Sequence, residues 1–148
     1  GLATDVSITW ISAIERGLTI DADPDQLFRV LLNLVRNATQ ALESRQDGDG
    51  GAQQIRITGR REGTVAIIEV SDTGPGVPAK AREHLFEAFQ TSGRPGGSGL
   101  GLAIAAELIR AHGGHIHLVE GTIGATFRIS IPDRPVELLS VRSERARA

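Results

Sequence analysis

From Asp23 to Glu43 the chain reads DPDQLFRVLLNLVRNATQALE, and this run limits the possible folds more than any other. Asp23 followed by Pro24 has the form of an N-cap with proline at the first helical position. Leu27, Leu31, Leu34, Val35, Ala38 and Leu42 then recur at helical spacing. A helix of this length with one apolar side has to lie against another layer. With 148 residues, 40% of them hydrophobic, there is material for one sizeable core and, most simply, one domain.

The second layer is written as strands. Val6 to Ile11 alternates and Leu18 to Ile20 is a short apolar run, so both read as strands. Gln54 to Arg61 and Thr64 to Asp72 form a hairpin through Glu62-Gly63, after a loop at Gln46 to Gln53. Ala79 to Phe89 reads as a short helix and Gln90 to Ser98 as a polar, glycine-rich loop. Gly99 to about His112 is a helix with Leu100, Ile104, Leu108 and Ala111 on one stripe, stopped by Gly113-Gly114. His115 to Glu120 and Ala125 to Ile131 follow as strands, and Pro132 ends the sheet. Asp133 to Ala148 has no clear period and reads as a flexible tail.

A net charge of −2 gives no broad basic field, so nucleic acid is not an expected partner. There is no cysteine, which agrees with a reducing, cytoplasmic setting. No apolar run approaches the roughly 20 residues that cross a bilayer, and no direct membrane contact is expected. The first residue is Gly1 rather than Met, which points to a piece of something longer.

Three fragments carry chemistry. Asn33, Asn37 and Gln40 fall on one side of the long helix. A polar stripe is commonly the solvated side, but here Leu31, Leu32, Leu34 and Val35 surround the amides, and neutral amide oxygens suit Mg²⁺, which takes its other oxygens from water and phosphates. The turn Asp72-Thr-Gly-Pro-Gly-Val-Pro78 has the composition of a surface turn. Parity with Ile68 and Val70 nonetheless puts Asp72 on a buried row, where a carboxylate needs donors such as an adenine amine. Gly97, Gly99 and Gly101 alternate where a loop becomes a helix. That is either a plain joint capped by Ser98 or an anion site built from bare N–H groups and the helix dipole. Neither a Walker A loop nor a Rossmann turn fits it.

Together these segments resemble the catalytic ATP-binding domain of bacterial sensor histidine kinases, in the superfamily that includes gyrase, heat-shock-chaperone and mismatch-repair ATPases. Leu31 to Ala41 is similar to the N box, Asp72 to Pro78 to the G1 box, Leu85 to Phe89 to the F box and Gly97 to Ala105 to the G2 box. The likeness runs from about Val6 to Pro132. It implies an α+β, two-layer sandwich: a mixed sheet of about five strands covered on one face by three helices. It also implies a catalytic domain over residues 1–132 that binds ATP and Mg²⁺, with Asn37 as metal ligand, Asn33 supporting it and Asp72 on the adenine amine. Gln40, Ala41, Gly74, Gly76 and Val77 then line the nucleotide, Phe89 and the following loop form a lid, and Gly97, Gly99, Leu100, Gly101 and Leu102 meet the phosphates.

Many relatives carry Lys or Arg where this chain has Gln40, which predicts weaker phosphate attraction; nitrogen-regulation kinases look similar there. Thr126 faces away from Phe127, Ile129 and Ile131 by parity and is not expected to touch adenine. Hydrolysing relatives place a glutamate where this chain has Asn33, so water is a poor nucleophile. His84, His112, His115 and His117 lie in no motif resembling a phosphoacceptor helix. The resemblance therefore implies transfer of the γ-phosphoryl group to a histidine on a dimerisation domain outside the chain, in two-component signalling with a response regulator downstream. The isolated domain is then expected to be a monomer that does not phosphorylate itself, and a larger, membrane-anchored kinase is one source for such a cytoplasmic piece. Two alternatives are an anti-sigma-factor serine kinase, whose usual glutamate is missing here, and a phosphotransfer scaffold with a decayed ATP site.

Overall fold

The computed structural model describes residues 7–44, 53–88 and 100–135. Five strands form one mixed sheet in the order β1-β2-β3-β5-β4: β1 (Thr9–Ile14), β2 (Gln54–Glu62), β3 (Val65–Asp72), β4 (His115–Val119) and β5 (Ala125–Pro132). β1 runs parallel to β2 and the other neighbours are antiparallel. Three helices, α1 (Pro24–Glu43), α2 (Ala79–Arg82) and α3 (Gly101–Ala111), complete the expected α+β sandwich.

α1 starts as its sequence dictates, with the Asp23 carboxylate accepting from Gln26 N–H at 2.9 Å and Pro24 in the first turn. Its fully buried residues are Val30, Leu34, Ala38, Ala41 and Leu42, while Leu27, Leu31 and Val35 pack at the margin. They share one core with Ile55, Ile68, Val70, Phe127, Ile129 and Ile131 from the sheet, and with Leu102, Ala105 and Ile109 from α3. Burying each such aliphatic or aromatic side chain contributes about 1.5–3 kcal/mol. The Phe86 ring meets Phe127 edge-on, with centroids 6.0 Å apart.

Several expectations need correction. The first strand lies three residues further on, at Thr9–Ile14, and Leu18 to Ile20 forms no strand. Gly17, at φ 72°, turns the chain back, and Leu18 lies against Gly59 rather than extending the sheet. Glu62 pairs with Val65, so the hairpin turn is Gly63-Thr64, with Gly63 at φ 61° supplying the reversal.

The helix expected over Ala79 to Phe89 stops at Arg82. Pro78 offers no side-chain cap, and residues 81, 84 and 87 each donate three residues back, a series of tight turns that buries Leu85.

On α3 the buried stripe also differs from the expected one. Leu102, Ala103, Ala105, Ala106 and Ile109 are buried, whereas Ala111 is exposed and Leu100 is 37% exposed. The small alanines let α3 lie close to both α1 and the sheet, so the seam follows them rather than the larger side chains. Its C-terminus behaves as expected, with Gly113 N–H donating to Arg110 and Gly114 N–H to Ile109. Of the tail, Asp133 and Arg134 are anchored: Arg61 forms a two-pronged pair with Asp133 at 2.9 and 3.0 Å, and Arg134 pairs with Asp21.

Candidate functional site

One face of α1 connects the three chemical fragments. Asn33, Asn37 and Ala41 are spaced four residues apart, so they stack along the helix. At one end the Asn33 amide donates to the carbonyl of Gly101, the first residue of α3, at 3.2 Å. At the other end Gly74 lies so near α1 that a Cβ there would stand 3.1 Å from the Ala41 Cβ. Asn37 is between them, and its Nδ2 is buried without a partner among the described residues. A buried N–H donor with unspent hydrogen-bonding capacity is uncommon unless an acceptor, such as a ligand oxygen, completes it.

β3 delivers the carboxylate. Ile68, Val70 and Asp72 share the helix-side face, and Asp72 is only 3% exposed. One Asp72 oxygen accepts from Gly74 N–H at 2.9 Å, an Asx-type turn that fixes the side chain at the strand end. Gly76, at φ 79°, reverses the chain and Val77 turns inward to the core. Thr126 is on the other face, as parity required, where its hydroxyl hydrogen-bonds Ser71 at 2.9 Å.

Gly124 belongs to this site, although sequence reasoning gave it no role. At φ 73° it faces the Asp72 turn so closely that a Cβ would be 2.0 Å from the Asp72 carbonyl oxygen and 3.0 Å from Gly74 N. Gly76 is packed against the same residue from the other side, 3.1 Å from its carbonyl oxygen by the same measure. The signal for it was a glycine just before the strand that pairs with the Asp72 strand, in register Asp72 to Ala125.

The remaining expected residues divide in two. Gln40 is partly buried on α1, Leu102 is buried, and Leu100 caps α3 without a side-chain hydrogen bond. Phe89, Gly97, Gly99 and the loop between them lie outside the described residues, as does the competing Ser98 cap. Among the described residues no group of three or more His, Cys, Asp or Glu could hold a metal. A divalent cation next to α1 would thus draw on neutral amide oxygens and on oxygens brought by a ligand, a donor type that suits Mg²⁺.

The four histidines lie away from this face of α1. His84 pairs with Glu87 at 2.7 Å, and His115 and His117 are exposed on the open face of the sheet. His112 ties α3 to α1, with Nδ1 2.7 Å from the Leu108 carbonyl and Nε2 accepting from Asp23 N–H at 3.1 Å. It borders a cavity of about 710 Å³ shared with Asp21, Gln26 and Arg134, at the end of α3 remote from Gly101. There the hydrogen bonds from Arg134 hold the Asp21 carboxyl below its ordinary range.

A mixed sheet under three helices, with paired amides, a buried Asx turn and a glycine-opened helix, defines the class of ATP-binding catalytic domains found in sensor kinases. The chain belongs to the histidine kinase-, DNA gyrase B-, and HSP90-like ATPase family, whose profile matches residues 22–135. It is 42% identical over 127 residues to the circadian input-output histidine kinase CikA of Synechococcus elongatus, covering 78% of this chain and 16% of that protein. It is 41% identical over 120 residues to the sensory histidine kinase/phosphatase NtrB of Rhizobium leguminosarum, covering 75% and 31%. The catalytic domain of histidine kinase ThkA superposes with a TM-score of 0.72 at 32% identity, over 86% of this chain and 82% of that one. The chain thus spans about a sixth to a third of the length of the full kinases it matches.

Proposed function

We propose that this domain binds Mg-ATP and donates the γ-phosphoryl group to a histidine on a dimerisation domain outside the chain. The observation that carries this reading is the continuous α1 face, with Gly101 at one end, Gly74 and Asp72 at the other, and between them Asn37, whose buried Nδ2 donor is left for a ligand acceptor. In the proposed complex Asp72 receives the adenine amine and Asn37 contributes one oxygen to the metal. Gln40, Ala41, Gly76 and Val77 line the cleft, and the N–H groups opening α3 face the phosphates. Phe89, Gly97 and Gly99 are assigned to the lid and phosphate loop. When bound, Mg²⁺ neutralises charge on the phosphates.

Asn33 favours transfer over hydrolysis. An amide cannot act as a general base, and its Nδ2 is already used to hold Gly101. Phosphoryl transfer depends chiefly on positioning and electrostatics, so the missing base is tolerable when a histidine supplies the nucleophile. A response regulator then receives the phosphoryl group from that histidine.

Incubation of the domain with γ-labelled ATP and a separately supplied acceptor domain tests this directly. Acid-labile, base-stable label on the acceptor is expected, with none on the isolated domain. Acid-stable label would indicate a serine kinase, and rapid release of free phosphate without an acceptor would identify a hydrolase; either result overturns the proposal.

A further inference from the structure

Two polar bonds join α1 and α3, one at each end of α3. Near the nucleotide face, Asn33 of α1 reaches across to a main-chain carbonyl of α3, that of Gly101, at 3.2 Å. At the far end the direction is reversed. His112, the C-cap of α3, reaches to the main-chain N–H of Asp23, the N-cap of α1, at 3.1 Å. The helices therefore run antiparallel, with ten positions between the two contact points on α1 and eleven on α3. At roughly 1.5 Å per residue both spans are about 15–17 Å, so the ties are spaced alike along the two helices.

The buried side of α3 is made of Leu102, Ala103, Ala105, Ala106 and Ile109. Apolar contact of this kind is non-directional, whereas a hydrogen bond weakens steeply with misalignment. The two ties thus define where α3 stands along α1.

The partners of His112 also define its chemical state. Nδ1 is 2.7 Å from the Leu108 carbonyl oxygen, which can only accept, so Nδ1 carries the proton. Nε2 faces the Asp23 N–H, which can only donate, so Nε2 offers its lone pair. The ring is the neutral Nδ1–H tautomer. Asp23 in turn uses its carboxylate to cap α1 at Gln26 N–H, so its main-chain donor and its side chain are both engaged at the junction. The turn after His112 is fixed as well. Gly114 N–H donates to Ile109 at 3.0 Å, and a Cβ on Gly114 would be 2.2 Å from the Ser130 carbonyl oxygen of β5. His112 is held against the sheet on one side and grips α1 on the other.

We propose that His112 is a positioning residue for the nucleotide site: by accepting from Asp23 N–H, its neutral Nε2 fixes the register of α3 along α1, and with it the place of the N–H groups that open α3 relative to Asn37. His112 touches no ligand and acts through α3. Its role rests on the Mg-ATP reading of the cleft. Without this tie the N-terminus of α3 shifts against Asn37, and hydrogen bonds to phosphate lose alignment.

Asparagine and glutamine separate the two halves of the imidazole. The Asn amide nitrogen corresponds to Nδ1 and the Gln amide oxygen can take the place of Nε2. His112→Asn therefore keeps the bond to Leu108 and loses the one to Asp23, and His112→Gln does the reverse. The ring borders the cavity at this end of α3, so neither side chain is forced into the core. Circular dichroism establishes that both variants are folded. In ATP calorimetry His112→Asn should weaken binding about five- to tenfold, while His112→Gln stays within about twofold of the unmutated domain. Combined with Asn33→Ala, His112→Asn should fall short of the product of the single effects by more than about twofold, because residues this far apart that act independently multiply. In the nucleotide-free domain, nitrogen NMR of the imidazole should show the Nδ1–H tautomer. The amide resonances of Gly101 and Leu102 should move in His112→Asn and stay in place in His112→Gln. Unchanged ATP affinity in His112→Asn, an equal loss in both variants, or an Nε2–H tautomer would each overturn the proposal. A domain that binds no ATP, with Gly101 and Leu102 responding as expected, would refute the Mg-ATP reading and the positioning role built on it, while confirming the tie between the helices.

Discussion

Gly124→Ala separates steric support of the Asp72 turn from the ordinary cost of replacing a left-handed glycine. At φ 73° an alanine costs about 1–2 kcal/mol for the backbone conformation alone. Its Cβ would also stand 2.0 Å from the Asp72 carbonyl oxygen. Opening that to an ordinary contact of about 3.5 Å displaces one backbone or the other by roughly 1.5 Å, at a further cost of about 1–3 kcal/mol. The total is about 2–5 kcal/mol, or roughly 6–15 °C in melting temperature for a domain of this size. Gly121→Ala is the internal control, because Gly121 has φ 80° and a methyl group added there would meet nothing within 4 Å. It should lose only the conformational part. Denaturant titration and ATP calorimetry on both variants measure the two effects. Gly124→Ala should weaken ATP by tenfold or more, about 1.4 kcal/mol, while Gly121→Ala leaves affinity unchanged. Equal loss of stability and equal affinity in the two variants would refute the role given to Gly124.

Four further outcomes are expected. Asp72→Asn should reduce ATP affinity by about 1.5–3 kcal/mol and erase the preference for ATP over GTP, read by competition binding; equal affinities in the unmutated domain would count against the assignment. Asn37→Ala should remove the Mg²⁺ dependence of ATP binding in calorimetry, and unchanged metal dependence would exclude Asn37 as the ligand. Phe127→Ala should cost about 3–5 kcal/mol by emptying the centre of the core and deleting the contact with Phe86, with a loss below about 1 kcal/mol, on that same scale, contradicting the packing described. Because Arg134 holds the folded-state pKa of Asp21 below 3.8, the pair contributes stability above that value that is lost as pH falls through the depressed one. Acid unfolding of Asp21→Asn should therefore lack part of the decline below about pH 4, and coincident curves would disprove the linkage.

Local grammar made most of the fold legible. The Asp23-Pro24 start, the Gly113-Gly114 stop and the alternation of Ile68, Val70 and Asp72 each act within a few residues, and each stands where the sequence placed it. The errors arise where tertiary packing decides. Leu18 to Ile20 is apolar enough for a strand, but Gly17 and the need to reach α1 turn it over Gly59 instead. On α3, the stripe of large residues reads as the buried one. Close packing against α1 selects the alanine-rich seam, a preference that emerges only once the neighbouring helix is in position. Ala79 to Phe89 has helical composition without a cap, and a short helix with no cap does not extend itself.

The candidate site was legible for a different reason: its residues are costly in their positions unless something else uses them. A carboxylate on a buried row, an amide among leucines and glycines at a helix start each run against the packing rules that govern their neighbours. Gly124 escaped notice because its demand is purely spatial. A glycine ahead of a strand is too common to single it out, and the requirement arises from the Asp72 carbonyl across the β3–β5 ladder. The same logic bears on Asn33. Its side chain spans from α1 to the Gly101 carbonyl, so the helix that carries the proposed metal ligand also sets the position of the helix whose N–H groups are proposed to meet the phosphates. Movement of α3 relative to α1 would therefore shift the proposed metal ligand against the proposed phosphate-binding N–H groups, and an amide at position 33 is suited to couple them because it donates a hydrogen bond that a carboxylate there could not.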